Sequence, residues 1–259
     1  MQLNNELGNK LEIRFAWSDN ISSEQIDDFR SVVNTVFGDF CTESYFKTKY
    51  LDNIYGASAI IVAYWEGIPV GACALWRNDL DGKEAYYAAD ASVIADYRNK
   101  GVYGAMLKVR AEIASQRGNA LLYTFPNTNS FPRLKKKGWH VKLVRKVFFY
   151  PGISSKKKIA KVEKGFAEWW IKRCEGICHI KCFGKYYLVK TVATKGVGRV
   201  LGYVDKETAE QFPRPAGVLW VLYCDSEKKT LYNRFWKAIP VVYSNASDAH
   251  IPFWKMDSL

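Results

Sequence analysis

The sequence lacks long hydrophobic runs, low-complexity segments and any excess of negative charge. No apolar stretch reaches the roughly 18 residues that a membrane-spanning helix needs, so no transmembrane helix is predicted. The N-terminal stretch MQLNNELGNKLEIRF also lacks the apolar core of a signal peptide. Hydrophobic residues make up 48% of the 259 residues, which is enough for a packed core. We therefore expect an ordered, cytoplasmic, globular protein with one large domain or two smaller ones.

Cysteines are few and scattered, and in the absence of a secretion signal we expect reduced thiols. Three of them lie in 174-CEGICHIKC-182 around His179, which raises the question of a metal site. Zinc sites favour two pairs of closely spaced ligands, and no second pair follows here. We therefore predict a strand at this stretch and no metal. The six cysteines are Cys41, Cys73, Cys174, Cys178, Cys182 and Cys224.

Acidic residues are outnumbered, 26 against 38 basic ones, which gives a net charge of +12. This balance attracts several kinds of anion, among them nucleic acid, membrane surfaces, nucleotides and phosphorylated cofactors. Lysine runs such as 135–137 are typical of a solvated face. No RNA-binding motif interleaves the aromatic residues with the lysines, so nucleic acid is not the partner we expect.

The periodicity of apolar residues predicts an alternation of strands and helices up to residue 150. Segments with apolar residues at helical spacing alternate with segments in which every second residue is apolar. Turn residues such as Glu66-Gly67 lie between these segments. The predicted strands are 11–17, 58–65, 68–77, 84–94, 119–125 and 139–150, and the predicted helices are 23–38, 42–51, 102–117 and a short one near 130–137.

Pro151, Gly152 and two serines mark a boundary, which divides the chain into domains 1–150 and 151–259. The second part is predicted to be a smaller α/β region, and no sequence repeat is apparent. Its predicted elements are helices 156–174 and 227–239 and strands 185–193, 199–205, 217–224, 241–244 and 250–256.

The stretch 96-DYRNKGVYGAML-107 places two glycines and two basic side chains at the start of a predicted helix. The free N–H groups at a helix start carry partial positive charge and bind phosphate. Gly101 would let an anion approach the backbone closely, because glycine has no side chain. Arg98 and Lys100 would add charge, while Gly104 is expected to permit close packing. The stretch therefore predicts a site for a pyrophosphate.

Two common phosphate-binding motifs are excluded here. A Walker loop requires a lysine and a serine or threonine after its last glycine, whereas Gly104 is followed by Ala105-Met106. A dinucleotide fingerprint requires a parallel strand-helix-strand unit near the start of the domain, whereas this stretch follows predicted antiparallel strands.

The order of elements together with this loop resembles the GNAT superfamily of acyl-CoA N-acyltransferases. The superfamily motif is [RQ]-x-x-G-x-[GA]; Arg98, Gly101 and Tyr103 occupy it, with Gly104 one place late. Asn127 lies eleven residues before Gly138-Trp139, a spacing that is common in the superfamily.

The local sequences 125-FPNTNS-130 and 137-KGW-139 are similar to those of a bacterial subgroup whose members carry an added C-terminal region. The resemblance covers about residues 10–150. It implies a GNAT fold, with a mixed, mostly antiparallel central sheet flanked by helices.

The resemblance also implies acetyl-CoA as acyl donor and an amine as acceptor. The pantetheine arm would lie in a gap between strands ending near Ile94 and Phe125, paired with the backbone from Val93 to Ala95. A backbone N–H near Val93 would polarise the thioester carbonyl. Asn127 would contact the pantetheine amides. The pyrophosphate would bind the loop residues Arg98, Asn99, Lys100, Gly101, Val102, Tyr103 and Gly104.

Strand alternation places Tyr86, Ala88, Asp90 and Ser92 on one face, where Asp90 is the only carboxylate. We therefore predict Asp90 as the catalytic base, with a water or a residue of the C-terminal region as the alternative.

The acid is harder to assign. Many superfamily members place a tyrosine seven residues after the asparagine, where this chain has Leu134. Tyr123 or Tyr103 could replace it, although tyrosines in strands mostly belong to the core. A thiolate leaving group needs little help, because its pKa is near ~8.5. His140 is expected to be structural rather than a base.

Residues 151–259 hold five of the nine tryptophans. They suit a wall that selects a sugar or acyl chain; the alternatives are a core-forming extension or the face of a homodimer. The favoured function is acetyl transfer to a primary amine of a small molecule or amino sugar. The alternatives are a non-catalytic acyl-CoA sensor and a tandem GNAT enzyme that transfers an aminoacyl group from a charged tRNA.

Overall fold

The structure is a computed structural model, and the residues that it describes form two compact units. The first unit comprises Met1–Thr124 and Tyr243–Ala246, and the second comprises Phe125–Val242 and Ser247–Leu259. The sequence placed a boundary at residue 150 instead, and the roles assigned to 1–150 and 151–259 stay predictions. The described residues are 2–4, 10–80, 82–125, 130–136, 138–149, 161–182, 184–191, 197–215, 220–226 and 239–243.

The first unit follows the predicted order of elements, with one additional short strand at its start. Ser22 caps the first helix, since its hydroxyl accepts the N–H of Gln25 at 3.2 Å. Glu66 and Gly67 both adopt left-handed backbone and form the predicted hairpin turn. The elements are β1 (Gln2–Asn4), β2 (Leu11–Trp17), α1 (Ser23–Phe37), α2 (Glu43–Phe46), β3 (Ala59–Trp65), β4 (Ile68–Arg77), β5 (Ala85–Val93), α3 (Val102–Gln116) and β6 (Leu121–Thr124).

The strands of the first unit form one sheet in the order β1-β2-β3-β4-β5-β6. Neighbouring strands are antiparallel except for β5 and β6, which are parallel. Helix α3 packs closely on β4 at Gly71, where an added Cβ would lie 2.8 Å from the Val102 side chain. The predicted mixed, mostly antiparallel sheet flanked by helices is confirmed.

A buried aromatic cluster holds the segment after α2 against the sheet. A single π-helical turn, Lys47–Leu51, continues α2. The ring of Phe29 lies 5.5 Å from Phe46 and 5.8 Å from Tyr50, and all three side chains are buried. This packing fixes the position of the π-helical turn, which is a feature often found at functional sites.

The second unit contains a sheet in the order β12-β7-β11-β10-β9-β8. Strand β8 confirms the strand predicted at 174–182. The predicted helix at 227–239 lies outside the described residues except for its last residue, and the strand at 250–256 lies wholly outside them. No described helix is long and apolar enough to cross a membrane. The elements are α4 (Phe131–Lys136), β7 (His140–Phe149), α5 (Lys164–Trp169), β8 (Ile177–Cys182), β9 (Lys185–Thr191), β10 (Val197–Val204), α6 (Lys206–Glu210), β11 (Trp220–Ser226) and β12 (Ile239–Tyr243).

The two units repeat one topology, although the sequence shows no repeat. In each unit an antiparallel meander of three strands is followed by a helix and a fourth strand parallel to the third: β3-β4-β5-α3-β6 and β8-β9-β10-α6-β11. The third strand pairs with the fourth over three residues only, at Ala85–Tyr87 and at Val197–Arg199. Each third strand then carries a bulge in its pairing with the second.

Candidate active site

The predicted anion loop lies at the N-terminus of α3. Gly101 is the N-cap residue and has left-handed backbone, with φ 85° and ψ −10°, a conformation that favours glycine. Asn99 is also left-handed, with φ 64°. Because Gly101 has no side chain to cap the helix, the first-turn N–H groups face the loop.

Two cations lie beside this helix start, and both are exposed. The Nε of Arg98 donates to the carbonyl of Val93 at 3.1 Å. The Nζ of Lys100 lies 5.5 Å from the Trp65 ring centroid and 5.0 Å from that of Tyr97. These contacts keep positive charge at the end of β5, next to the positive end of the helix dipole.

Gly104 is exposed on the first turn of α3, and a Cβ added there would meet no atom within 4 Å in the part of the chain that the structure describes. The prediction that Gly104 permits close packing is therefore wrong; Gly71 on β4 has that role. The space in front of Gly104 is open to a ligand.

Strands β5 and β6 part where the resemblance implies a gap. Their pairing ends at Tyr87, and the hydroxyl of Thr124 then donates to the Ala88 carbonyl at 3.0 Å. Beyond this point no described strand pairs with this edge of β5. The Ile94 N–H donates to Val70 at 2.9 Å, so by antiparallel alternation Val93 turns its N–H and C=O away from β4. The edge of β5 thus offers backbone hydrogen-bonding groups to the gap.

Asp90 lies in a β-bulge of β5. Ala74 pairs with Ala89 and Ala72 with Ser92, so Asp90 and Ala91 face the single residue Cys73. Asp90 takes left-handed backbone, with φ 47°, which aspartate tolerates better than most residues. A bulge redirects the side chains that follow it.

This bulge overturns the predicted alternation. The rings of Trp76 and Tyr87 lie 6.0 Å apart, and Lys49, which pairs with Asp90, lies over the Trp76 ring at 5.3 Å. Tyr87 and Asp90 therefore share a face of the sheet. Tyr86 lies on the opposite face, so the prediction that it shares a face with Asp90 is wrong, because the extra residue shifts the period by one.

The Asp90 carboxylate is bound by the π-helical turn. Its Oδ2 accepts from the Lys49 ammonium at 3.1 Å and from the Tyr50 hydroxyl. The Lys49 and Asp90 side chains are 0% and 5% exposed. Lys49 also donates to the Tyr45 hydroxyl at 2.7 Å. The Oδ1 of Asp90 has no partner among the described residues, so one carboxylate oxygen is anchored and the other is available.

The remaining predicted residues differ in position. Asn127 lies outside the described residues. Leu134 is buried, and Tyr123 is fully buried with its hydroxyl donating to a backbone carbonyl at 3.2 Å, which makes it part of the core. His140 is exposed at the start of β7, and Tyr103 is half-buried in the first turn of α3.

Sequence reasoning missed Lys49 and Tyr50. Both lie in the segment predicted as a helix at 42–51, but lysine is rarely buried, so nothing local marks Lys49 as a core residue. Its contact with Asp90 joins residues 41 positions apart. The one available signal was Tyr45 four residues before Lys49, a spacing that places both on one helical face.

No family model matches the sequence, and no curated protein is significantly similar to it. Solved structures do match. A GCN5-related N-acetyltransferase from Kribbella flavida has a TM-score of 0.54 at 12% identity, covering 90% of this chain and 71% of that one. A conserved protein from Enterococcus faecalis V583, described as a probable N-acyltransferase, has 0.55 at 12%, covering 90% and 72%.

A putative acetyltransferase from Pyrococcus horikoshii has a TM-score of 0.50 at 15% identity, covering 95% of this chain and 92% of that one. These coverages extend well beyond the residues 10–150 to which the sequence resemblance applied. The chain therefore has the fold of the GCN5-related N-acetyltransferases.

Proposed function

We propose that the protein is an acyl-CoA-dependent N-acyltransferase that moves acetyl from acetyl-CoA to a primary amine. One combination of features carries the proposal. Helix α3 begins at a glycine that has no side chain to cap it, and strand β5, which precedes this helix, stops pairing with β6 beyond Tyr87. The likeness to GCN5-related structures supports the fold but not the substrate.

The described residues fit acetyl-CoA. The pyrophosphate would bind the N–H groups at Gly101 and the charges of Arg98 and Lys100. The open space at Gly104 would admit it without a clash. The pantetheine amides would pair with the outward-facing backbone of Val93 and with that of Ala95, and Asn127 would contact the same amides. The Ile94 N–H already donates to Val70, so Ile94 would line the gap without pairing.

Acetyl-CoA would supply the activated acyl group. Asp90 would accept the proton of the amine through Oδ1, while Lys49 and Tyr50 hold Oδ2. This anchoring fixes the orientation of the carboxylate, which is what a positioned base requires. The Val93 N–H, turned away from β4, would donate to the acyl oxygen as negative charge develops on it.

Leu134 cannot act as an acid, and of the two tyrosines considered in its place Tyr103 lies half-buried in the first turn of α3. Tyr123 is held in the core by its own hydrogen bond. A thiolate is a good leaving group because thiol pKa values lie near ~8.5, and it can take up its proton from water after the C–S bond breaks. The proposal therefore includes no dedicated tyrosine acid.

An exposed aromatic surface beside Tyr45 supports a small molecule or amino sugar as acceptor. Phe37 and Phe40 are 50% and 40% exposed, and the Phe40 ring lies 5.3 Å from that of Tyr45. Tyr45 accepts a hydrogen bond from Lys49, the partner of Asp90. Aromatic rings with exposed faces suit contact with the apolar face of a sugar.

A second candidate is an aminoacyl transferase with two GNAT-like units. The repeated topology of the second unit favours it, whereas the loop at Gly101 favours a phosphorylated cofactor. A non-catalytic acyl-CoA sensor is the third candidate.

An assay of free thiol release from acetyl-CoA over a panel of amines, including amino sugars, separates these functions. We expect release that requires an amine and yields the N-acetyl product by mass spectrometry. Binding of acetyl-CoA without release for any amine would favour the sensor. Transfer from a charged tRNA, with no binding of acetyl-CoA, would contradict the proposal.

A further inference from the structure

Helix α3 contains a buried cation that the proposed chemistry does not use. Arg110 is 2% exposed, and the other buried residues of α3 are apolar. Its Nη2 donates to the carbonyls of Ala74 at 3.3 Å and of Ala89 at 3.0 Å. Within the described ranges, Arg110 forms no ion pair with a carboxylate.

The two carbonyls belong to the residue pair that borders the bulge. Ala74 and Ala89 are the last regular pair before β5 gains its extra residue, and the next residue of β5 is Asp90. A single guanidinium therefore joins β4 and β5 at the point where the register changes.

Cys73, the residue opposite the bulge, is also in contact with Arg110. Burial raises the pKa of the Cys73 thiol, and the hydrogen bond and charge of Arg110 act against that rise. Arg110 thus contacts the residue opposite the bulge as well as both residues of the adjoining pair.

We propose that Arg110 is a positioning residue that holds the β5 bulge in register and thereby places Asp90 for its reaction. This inference rests on the proposed function. Without the guanidinium, two buried carbonyls lose the side-chain donor that joins them, and loss of a buried hydrogen bond to a charged group is costly. Return of β5 to regular pairing would move every following side chain by one position and turn Asp90 to the other face.

The first test uses hydrogen exchange on the free protein and does not depend on activity. Arg110→Met keeps the length of the side chain but removes its donors, and Arg110→Lys keeps the charge and can donate. Val109→Ala removes a buried side chain of the same helix without touching either carbonyl. We expect exchange over residues 85–95 to accelerate at least about tenfold in Arg110→Met, to recover in part in Arg110→Lys, and to be unchanged in Val109→Ala. Equal local exchange in Arg110→Met and Val109→Ala would overturn the inference.

The second test separates this inference from the proposed function. With an amine that the wild type acetylates, Arg110→Met should lower kcat about 100-fold with little change in the KM for acetyl-CoA. Arg110→Lys should restore part of kcat, and Val109→Ala should keep it. Unchanged kcat in Arg110→Met would refute the positioning role. Absence of turnover in the wild type would refute the proposed function alone, leaving the exchange result to decide on Arg110.

Discussion

At the scale of single residues, the Asp90–Lys49 pair combines a proposed catalytic role with a structural one. We predict that Asp90→Asn lowers kcat/KM at least about 100-fold, because the general base is lost. It should also lower stability by about 3–5 kcal/mol, because the buried Lys49 ammonium loses its carboxylate partner. Steady-state kinetics and urea unfolding measure the two effects.

The double variant Asp90→Asn/Lys49→Met separates these effects. Removal of both charges should recover much of the stability, because a buried ion pair can be replaced by apolar groups at little cost. Activity should stay low. Recovery of kcat/KM together with stability would mean that Asp90 has a structural role only.

Gly104 gives a cleaner test of the cofactor site, because no atom of the described residues occupies the space in front of it. We predict that Gly104→Leu weakens acetyl-CoA binding at least tenfold while stability is maintained. Gly104→Ala is the matched control, and in a helix it should raise stability by about 0.5–1 kcal/mol. Binding by Gly104→Leu with wild-type affinity would exclude the first turn of α3 from the site.

At the scale of elements, the first helices of the two repeats begin differently. Helix α3 begins with the bare Gly101, whereas α6 begins with Asp205, whose carboxylate accepts the Thr208 N–H at 2.8 Å. In the second unit the Asp205 carboxylate therefore lies at the helix start, where a bound anion would otherwise lie. The five-residue α6 offers no equivalent of the loop around Gly101.

Asp205 also predicts a pH dependence. The Thr208 N–H holds the pKa of the Asp205 carboxyl below its usual value. Since the folded pKa is lower than the unfolded one, the stabilisation is present above pH about 4 and is lost as pH falls through the folded pKa. Asp205→Ala should thus cost about 1 kcal/mol at pH 7 and less at pH 3, measured by urea unfolding. An equal cost at both pH values would contradict this.

The elements of the first unit could be predicted from sequence because each follows from local periodicity and turn residues. The bulge at Asp90 could not be predicted, because an extra residue changes how a strand pairs with its neighbour without giving the strand a different composition. The burial of Lys49 and Arg110 depends on partners far along the chain. A glycine start for α3 could be predicted because it is a local feature, whereas the open space around Gly104 depends on the surrounding fold.

At the scale of the whole molecule, the two units share a topology but differ in their helix starts. The shared topology could not be recognised from the sequence, because the two repeats have the same order of strands but different residues. Helix α6 is also much shorter than α3. We therefore expect one acetyl-CoA site in each chain, at the start of α3 in the first unit. The second unit stays a proposed substrate-selecting wall or dimer face.

Isothermal titration calorimetry with acetyl-CoA measures both the number of cofactor sites and the part that the first turn of α3 has in them. We expect one binding site per chain in the wild type and in Gly104→Ala, with binding greatly weakened in Gly104→Leu. In parallel, acetyl-CoA at about 100 times its Kd should raise the Tm of the wild type by about 5–10 °C. No binding heat in the wild type, two sites per chain, or equal affinity in Gly104→Leu would contradict the account.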